Sequence, residues 1–266
     1  MLICGIRGQN KKLNYLSIIR IFRHCGIDCH APDAARAKRI LAAEFSIAPG
    51  GVISIDGFDY TANDVFEELE RDDFARRLQL NMLIWKTPIL LNCLEKHEAD
   101  LRQIQQWETV CRDWLHRQIT GFIAPYFAVS FDKIMGKLLN EARFADADAW
   151  LKTRYFLDNS EDRRASLSST RLFITDFIKL LKNLNDVTYK NHLPQLENWF
   201  SQPWSRFVNH LPTSLYHVRN DLLRAMFSFM LVIRNTDSDL CRKMSRQMRE
   251  VRNINANLQK EIAGFN

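Results

Sequence analysis

Apolar residues recur along most of this chain at intervals of three and four, the period of an amphipathic helix. Residues 10–24 (NKKLNYLSIIRIFRH) place Leu13, Leu16, Ile19 and Phe22 at that spacing, and Gly26 predicts the stop. Pro32 and Asp33 open a second helix, DAARAKRILAAEF. Its apolar face carries Ala34, Ala37, Leu41 and Phe45, and its opposite face carries Arg36 and Arg39 beside Ala43. The pattern then changes period. Pro49-Gly50-Gly51 ends the helix, Val52 to Ile55 alternates as a strand, Asp56-Gly57 has the chemistry of a type I′ turn, and Phe58 to Tyr60 returns. Thr61 to Asp64 has capping-box spacing ahead of an acidic helix.

Residues 74–119 predict two or three long helices, with Gly121 and Pro125 interrupting the pattern at GFIAPYF and more helix from about 129 to 156. DNSEDRRASLSS (158–169) is the most polar stretch and reads as a loop or linker, with residues 168–170 placed to cap the next helix. Pro194, Pro203 and Pro212 cut 193–212 into short pieces rich in Trp199, Phe200, Trp204 and Phe207. A strongly apolar helix follows over about 214–234, as expected of an element central to a helical core. The last segment carries one stripe, Leu240, Met244, Met248, Val251, Ile254, Leu258 and Ile262, with Arg242, Arg246 and Arg249 opposite.

The fold class that follows is mainly α, a multi-helix bundle or irregular helical array with one small β-hairpin near residues 52–60. The sparse Gly (9) and Pro (7) among 266 residues agree with this. The organisation reads as a basic helix–turn–helix plus hairpin unit at 1–62 and an acidic-to-mixed helical region at 63–157. A polar loop or linker at 158–169 and a helical region at 170–266 complete it; one compact domain holding all of these is the alternative.

Net charge is +6, unevenly distributed. Residues 1–47 hold eight Lys/Arg against three Asp/Glu, 56–110 six against twelve, and 201–266 ten against five. Basic ends around an acidic middle imply either a polyanion-facing surface or basic and acidic segments packed together within one molecule. The six cysteines are scattered, mostly within helical patterns, which is no disulfide framework. No apolar run approaches the ~18 to 20 residues that cross a bilayer, and the start lacks a signal-peptide core. A reduced, cytoplasmic setting is the expectation.

Four constellations are candidates for chemistry. The helix, turn, helix and hairpin of residues 10–60 has the order of a winged helix-turn-helix, with Lys11, Lys12, Arg36 and Arg39 for phosphates or guanine edges. Against this, the connection is long and the hairpin tip is acidic. Cys25, Cys29 and His30 offer thiolate and imidazole for a zinc half-site with no second pair downstream; the alternative is an ordinary helix-end loop. Cys93, His97 and Asp100 fall at i, i+4 and i+7 of an expected helix. That puts a thiol and an imidazole one turn apart on one face, as an activated nucleophile would need; an ordinary core-and-boundary face is the alternative. The C-terminal helix offers Met244, Met248, Val251 and Leu258 to a partner groove, or Arg242, Arg246 and Arg249 to an anionic surface; the alternative is a helix folded onto its own core. Phosphate-binding glycine loops, HExxH and GxSxG are absent, and Arg112/His116 and Arg206/His210 are one residue too close for a helical RNase pair. No cofactor is expected. The first functional expectation is a protein-interaction role, as adaptor, scaffold or complex subunit with a protein partner. Nucleic-acid binding through the N-terminal unit is second, and a helical enzyme with a spatially assembled site third.

Overall fold

The computed structural model describes residues 14–30, 32–102, 115–157 and 160–264. The chain is mainly helical with one two-stranded antiparallel hairpin among those residues. The N-terminal unit holds α1 (Ile18–His24), α2 (Ala34–Ile47), β1 (Val52–Ile55), β2 (Phe58–Thr61) and α3 (Ala62–Leu69), followed by α4 (Phe74–Trp85) and α5 (Pro88–Lys96). Beyond these come α6 (Leu115–Asn140), α7 (Phe144–Leu151), α8 (Ser160–Ala165), α9 (Ser168–Asn183), α10 (Leu193–Trp199) and α11 (Gln202–His210). The long α12 (Tyr216–Ile233), α13 (Ser238–Glu250) and α14 (Ala256–Gly264) close the chain.

Local chemistry accounts for the N-terminal elements. Asp33 caps α2 by accepting the Ala35 and Arg36 amides, and Thr61 Oγ1 accepts the Asp64 amide at the start of α3. Asp56 and Gly57 both take positive φ, as a type I′ turn requires, and set the register Val52↔Thr61 through Ile55↔Phe58. The first helix is shorter than its pattern, beginning at Ile18, and Ala34 is exposed whereas Ala37, Leu41 and Phe45 are buried.

Two apolar clusters result. A smaller one joins Ile19, Phe22, Ala37, Leu41, Phe45, Tyr60 and Val65 with Phe74 and Leu78 of α4. A larger one runs from α5 and α6 through the C-terminal helices around Phe131, Trp150, Phe177, Trp204, Met226 and Phe229. Trp85 packs against both.

Four expectations are corrected by packing. Pro125 does not interrupt its helix, because α6 passes through it from Leu115 to Asn140. One lost amide donor is outweighed there by the buried Ile123, Ala124, Phe127, Ala128 and Phe131. Residues 160–169 are not an exposed loop: they form α8 and the first turn of α9, with Asp162, Ser166 and Leu167 buried. The cap of α9 comes from another helix, since Asp132 of α6 accepts the Ser169 amide at 2.7 Å and its hydroxyl at 2.8 Å. The C-terminal stripe is carried by two helices, α13 and α14, separated by residues 251–255 with Asn253 at φ 54°. Side chains from neighbouring helices hold that break open: Asn209 accepts the Arg252 amide, Asn220 accepts the Asn255 amide, and Arg219 donates to the Asn253 carbonyl.

Candidate functional sites: a polar cleft, an apolar groove and a cationic helix face

The first candidate lies along the seam between the two clusters. Arg20 of α1 bonds Glu95 of α5 at 2.6 Å, and the Glu95 side chain is fully buried. The second carboxylate oxygen of Glu95 accepts the Ser17 amide at 3.3 Å. Arg20 also pairs with Asp56 at the hairpin tip and lies over Phe58 and Trp85. Burial raises the Glu95 pKa, and the Arg20 guanidinium and the Ser17 amide pull against that rise. Beside this pair opens a cleft of about 550 Å³, lined by Tyr15, Phe58, Tyr60, Arg77, Glu95, His97, Tyr126 and Lys133 among others.

The cleft gathers titratable groups, but they are largely engaged with one another. Tyr15 donates to Asn81 at 2.6 Å, Tyr60 donates to the Ser17 carbonyl, and burial raises both phenols. Arg77 grips Glu68 through two bonds of 2.6 and 2.8 Å. His97 sits between Ser130 Oγ, 3.0 Å from Nδ1, and Lys133 Nζ, 2.8 Å from Nε2. The Ser130 hydroxyl donates to the Tyr126 carbonyl, so it accepts from His97 Nδ1–H and leaves Nε2 to accept from Lys133. Burial, then the Lys133 charge, lowers the His97 pKa. A serine nucleophile needs its proton directed at the histidine; here the proton points to a helix carbonyl, so this trio is a tether.

The Cys93–His97–Asp100 face does not form. Helix α5 ends at Lys96, and His97 leaves it in the left-handed conformation at φ 55°. Cys93 is buried in the larger cluster, which pushes its thiol up to about 12. Cys25 and Cys29 are half-buried, with thiols raised chiefly by burial, whereas His30 is exposed. No group of three or more His, Cys, Asp or Glu side chains is placed to hold a metal among the described residues. Arg206 and His210 are both exposed on α11, and His210 is held by the buried Asp148.

Within the C-terminal stripe Met244, Met248, Val251 and Leu258 are all buried in the protein's own core. As exposed partner-binding side chains they are therefore corrected: α13 packs on α11, α12 and α14, and the stripe is the inner face of that packing. Arg242, Arg246 and Arg249 are exposed on the opposite side, and Arg242 pairs with Asp239 at 3.2 Å.

The second candidate is a groove of mixed lining with an apolar floor. A groove of about 520 Å³ lies between α9 and α12, floored by Ile178, Leu181, Ala225 and Phe229 with Val232 at its lip and Lys182, Asp221 and Arg224 on its rim. Val232 is 48% exposed, and Val187, three residues past Leu184 of the groove wall, is 70% exposed. The sequence reading of residues 214–234 as a central core helix did not anticipate this groove; nine residues of α12 are buried, and Leu231 and Val232 are left exposed.

The third is the outer face of α2, where Arg36 and Arg39 stand exposed. Lys11 and Lys12, expected to share that surface, lie outside the described residues. The hairpin tip does not extend beside α2 as a basic wing, because Asp56 is tied to Arg20. No helix among the described residues is long and apolar enough to cross a membrane. No family model matches the chain, and neither the curated proteins nor the solved structures compared with it include a match.

Proposed function

We propose that this protein is an interaction module, an adaptor or complex subunit, that receives an amphipathic helix of another protein in the groove between α9 and α12. The carrying observation is the apolar floor of that groove with Val232 left open to water at its lip; Val187, three residues past Leu184, is exposed as well. An apolar floor with an exposed apolar lip and a polar rim is what a helix-in-groove contact uses. The charged rim residues Lys182, Asp221 and Arg224 would fix the register of the incoming helix. The polar cleft supports this reading indirectly, because the charges there are taken up by internal pairs.

The test is affinity purification from host cells with the wild-type chain and with Val187→Asp/Val232→Asp. The partnered reading expects a protein that co-purifies with wild type and is lost from the double variant, while both chains melt at the same temperature. If nothing co-purifies above background, or the double variant retains every partner, the groove is not the interaction surface.

A further inference from the structure

The outer face of α2 is unexplained by the fold and is independent of the groove. The helix has 14 residues, of which Ala37, Leu41 and Phe45 alone are buried. At 100° per residue, Arg36, Arg39, Ala43, Ser46 and Ile47 fall on the side away from those three. All five are exposed, and Ile47 at 78% is a large apolar side chain standing in water. Of the three cations on α2, Lys38 is neutralised by Glu70. Arg36 and Arg39 have no ion-pair partner among the described residues; the side-chain bond of Arg39 is a long one to the Ala35 carbonyl.

From this face we infer a binding site for double-stranded DNA, with α2 entering the major groove. The helix is about 21 Å long at 1.5 Å per residue, and a groove about 12 Å wide admits one helix side-on. Two uncompensated guanidiniums on adjacent turns reach phosphates or guanine edges. Ala43, one turn beyond Arg39 on the same face, lets the backbone approach closely, and Ile47 supplies an apolar contact of the kind thymine methyls accept. The charges around the face limit the site. Asp33 is committed to capping the helix, Glu70 removes Lys38, and Glu44 stands half-buried on the same helix, leaving a contact that rests on two arginines. The acidic hairpin tip is held by Arg20, so the interaction belongs to the helix and does not include a wing.

The experiment is fluorescence anisotropy of the full chain with labelled duplex DNA, and with single-stranded DNA and duplex RNA as competitors. It compares wild type, Arg36→Glu/Arg39→Glu, Ala43→Glu and the distal control Arg242→Glu/Arg246→Glu. Every substituted position is exposed, and melting curves verify that each variant folds. Two phosphate contacts predict that wild-type affinity for duplex DNA falls about tenfold between ~50 and ~200 mM salt. The α2 substitutions should weaken it by at least about tenfold, with the distal pair unchanged. Three results overturn the inference: no duplex binding at low salt, equal loss in the distal control, or RNA or single-stranded DNA competing as well as duplex DNA.

Discussion

Replacing Glu95 by alanine tests the seam between the two apolar clusters. The substitution leaves Arg20, itself mostly buried, with the exposed Asp56 as its remaining ion-pair partner among the described residues, and it removes the carboxylate that accepts the Ser17 amide. Removing one member of a buried pair costs about 3–5 kcal/mol, because the other charge stays desolvated. For a chain of this length that is about 5–10 °C in Tm, read by calorimetry or by circular dichroism. The double substitution Arg20→Met/Glu95→Met should cost less than Glu95→Ala alone, since taking both ions away relieves both desolvation penalties. The pH dependence has a definite sign. Burial raises the folded pKa of Glu95 above the ordinary 4.5, so the stability it contributes is full below that value and is lost as pH rises through the folded pKa. The deficit of Glu95→Ala relative to wild type should therefore be larger near pH 4 than near pH 7. A Glu95→Ala variant within about 1 kcal/mol of wild type, or a double variant worse than the single, would refute the reasoning.

Core truncation at Phe229→Ala or Leu181→Ala should cost roughly 2–5 kcal/mol by denaturant unfolding, whereas Val187→Asp should change stability by less than about 0.5 kcal/mol; equal effects at the three sites would contradict the burial pattern. His97 is shifted downward from 6.5, so the stability it contributes is present above that pH and lost as pH falls through its folded pKa. A His97→Gln chain should lack that part of the profile, and an unchanged melting profile between pH 7 and 5 would count against the tether. Native-state alkylation near pH 8 with mass-spectrometric readout should label Cys25 and Cys29 well ahead of Cys93, whose thiol is buried and pushed up to about 12. Labelling of Cys93 at a comparable rate would mean that α5 opens readily.

What the sequence determined by itself is local. The hairpin at 52–61, the Asp33 and Thr61 caps, the Pro49-Gly50-Gly51 stop and most of the buried faces of α2 and α13 were legible, because each depends on residues within one or two turns of one another. The outward direction of Arg36 and Arg39 was legible for the same reason. The tertiary structure decided the rest. It carried α6 through Pro125, ended α5 before His97, and divided the C-terminal stripe at residues 251–255, where Asn209, Asn220 and Arg219 satisfy backbone groups that a continuous helix would have paired internally. Arg20 meets Glu95 across 75 positions, and Asp132 caps α9 across 37. Periodicity records which side of an element turns inward. The identity of the group waiting there is set by packing between segments far apart in the chain, where a buried polar atom must find its partner wherever the fold provides one.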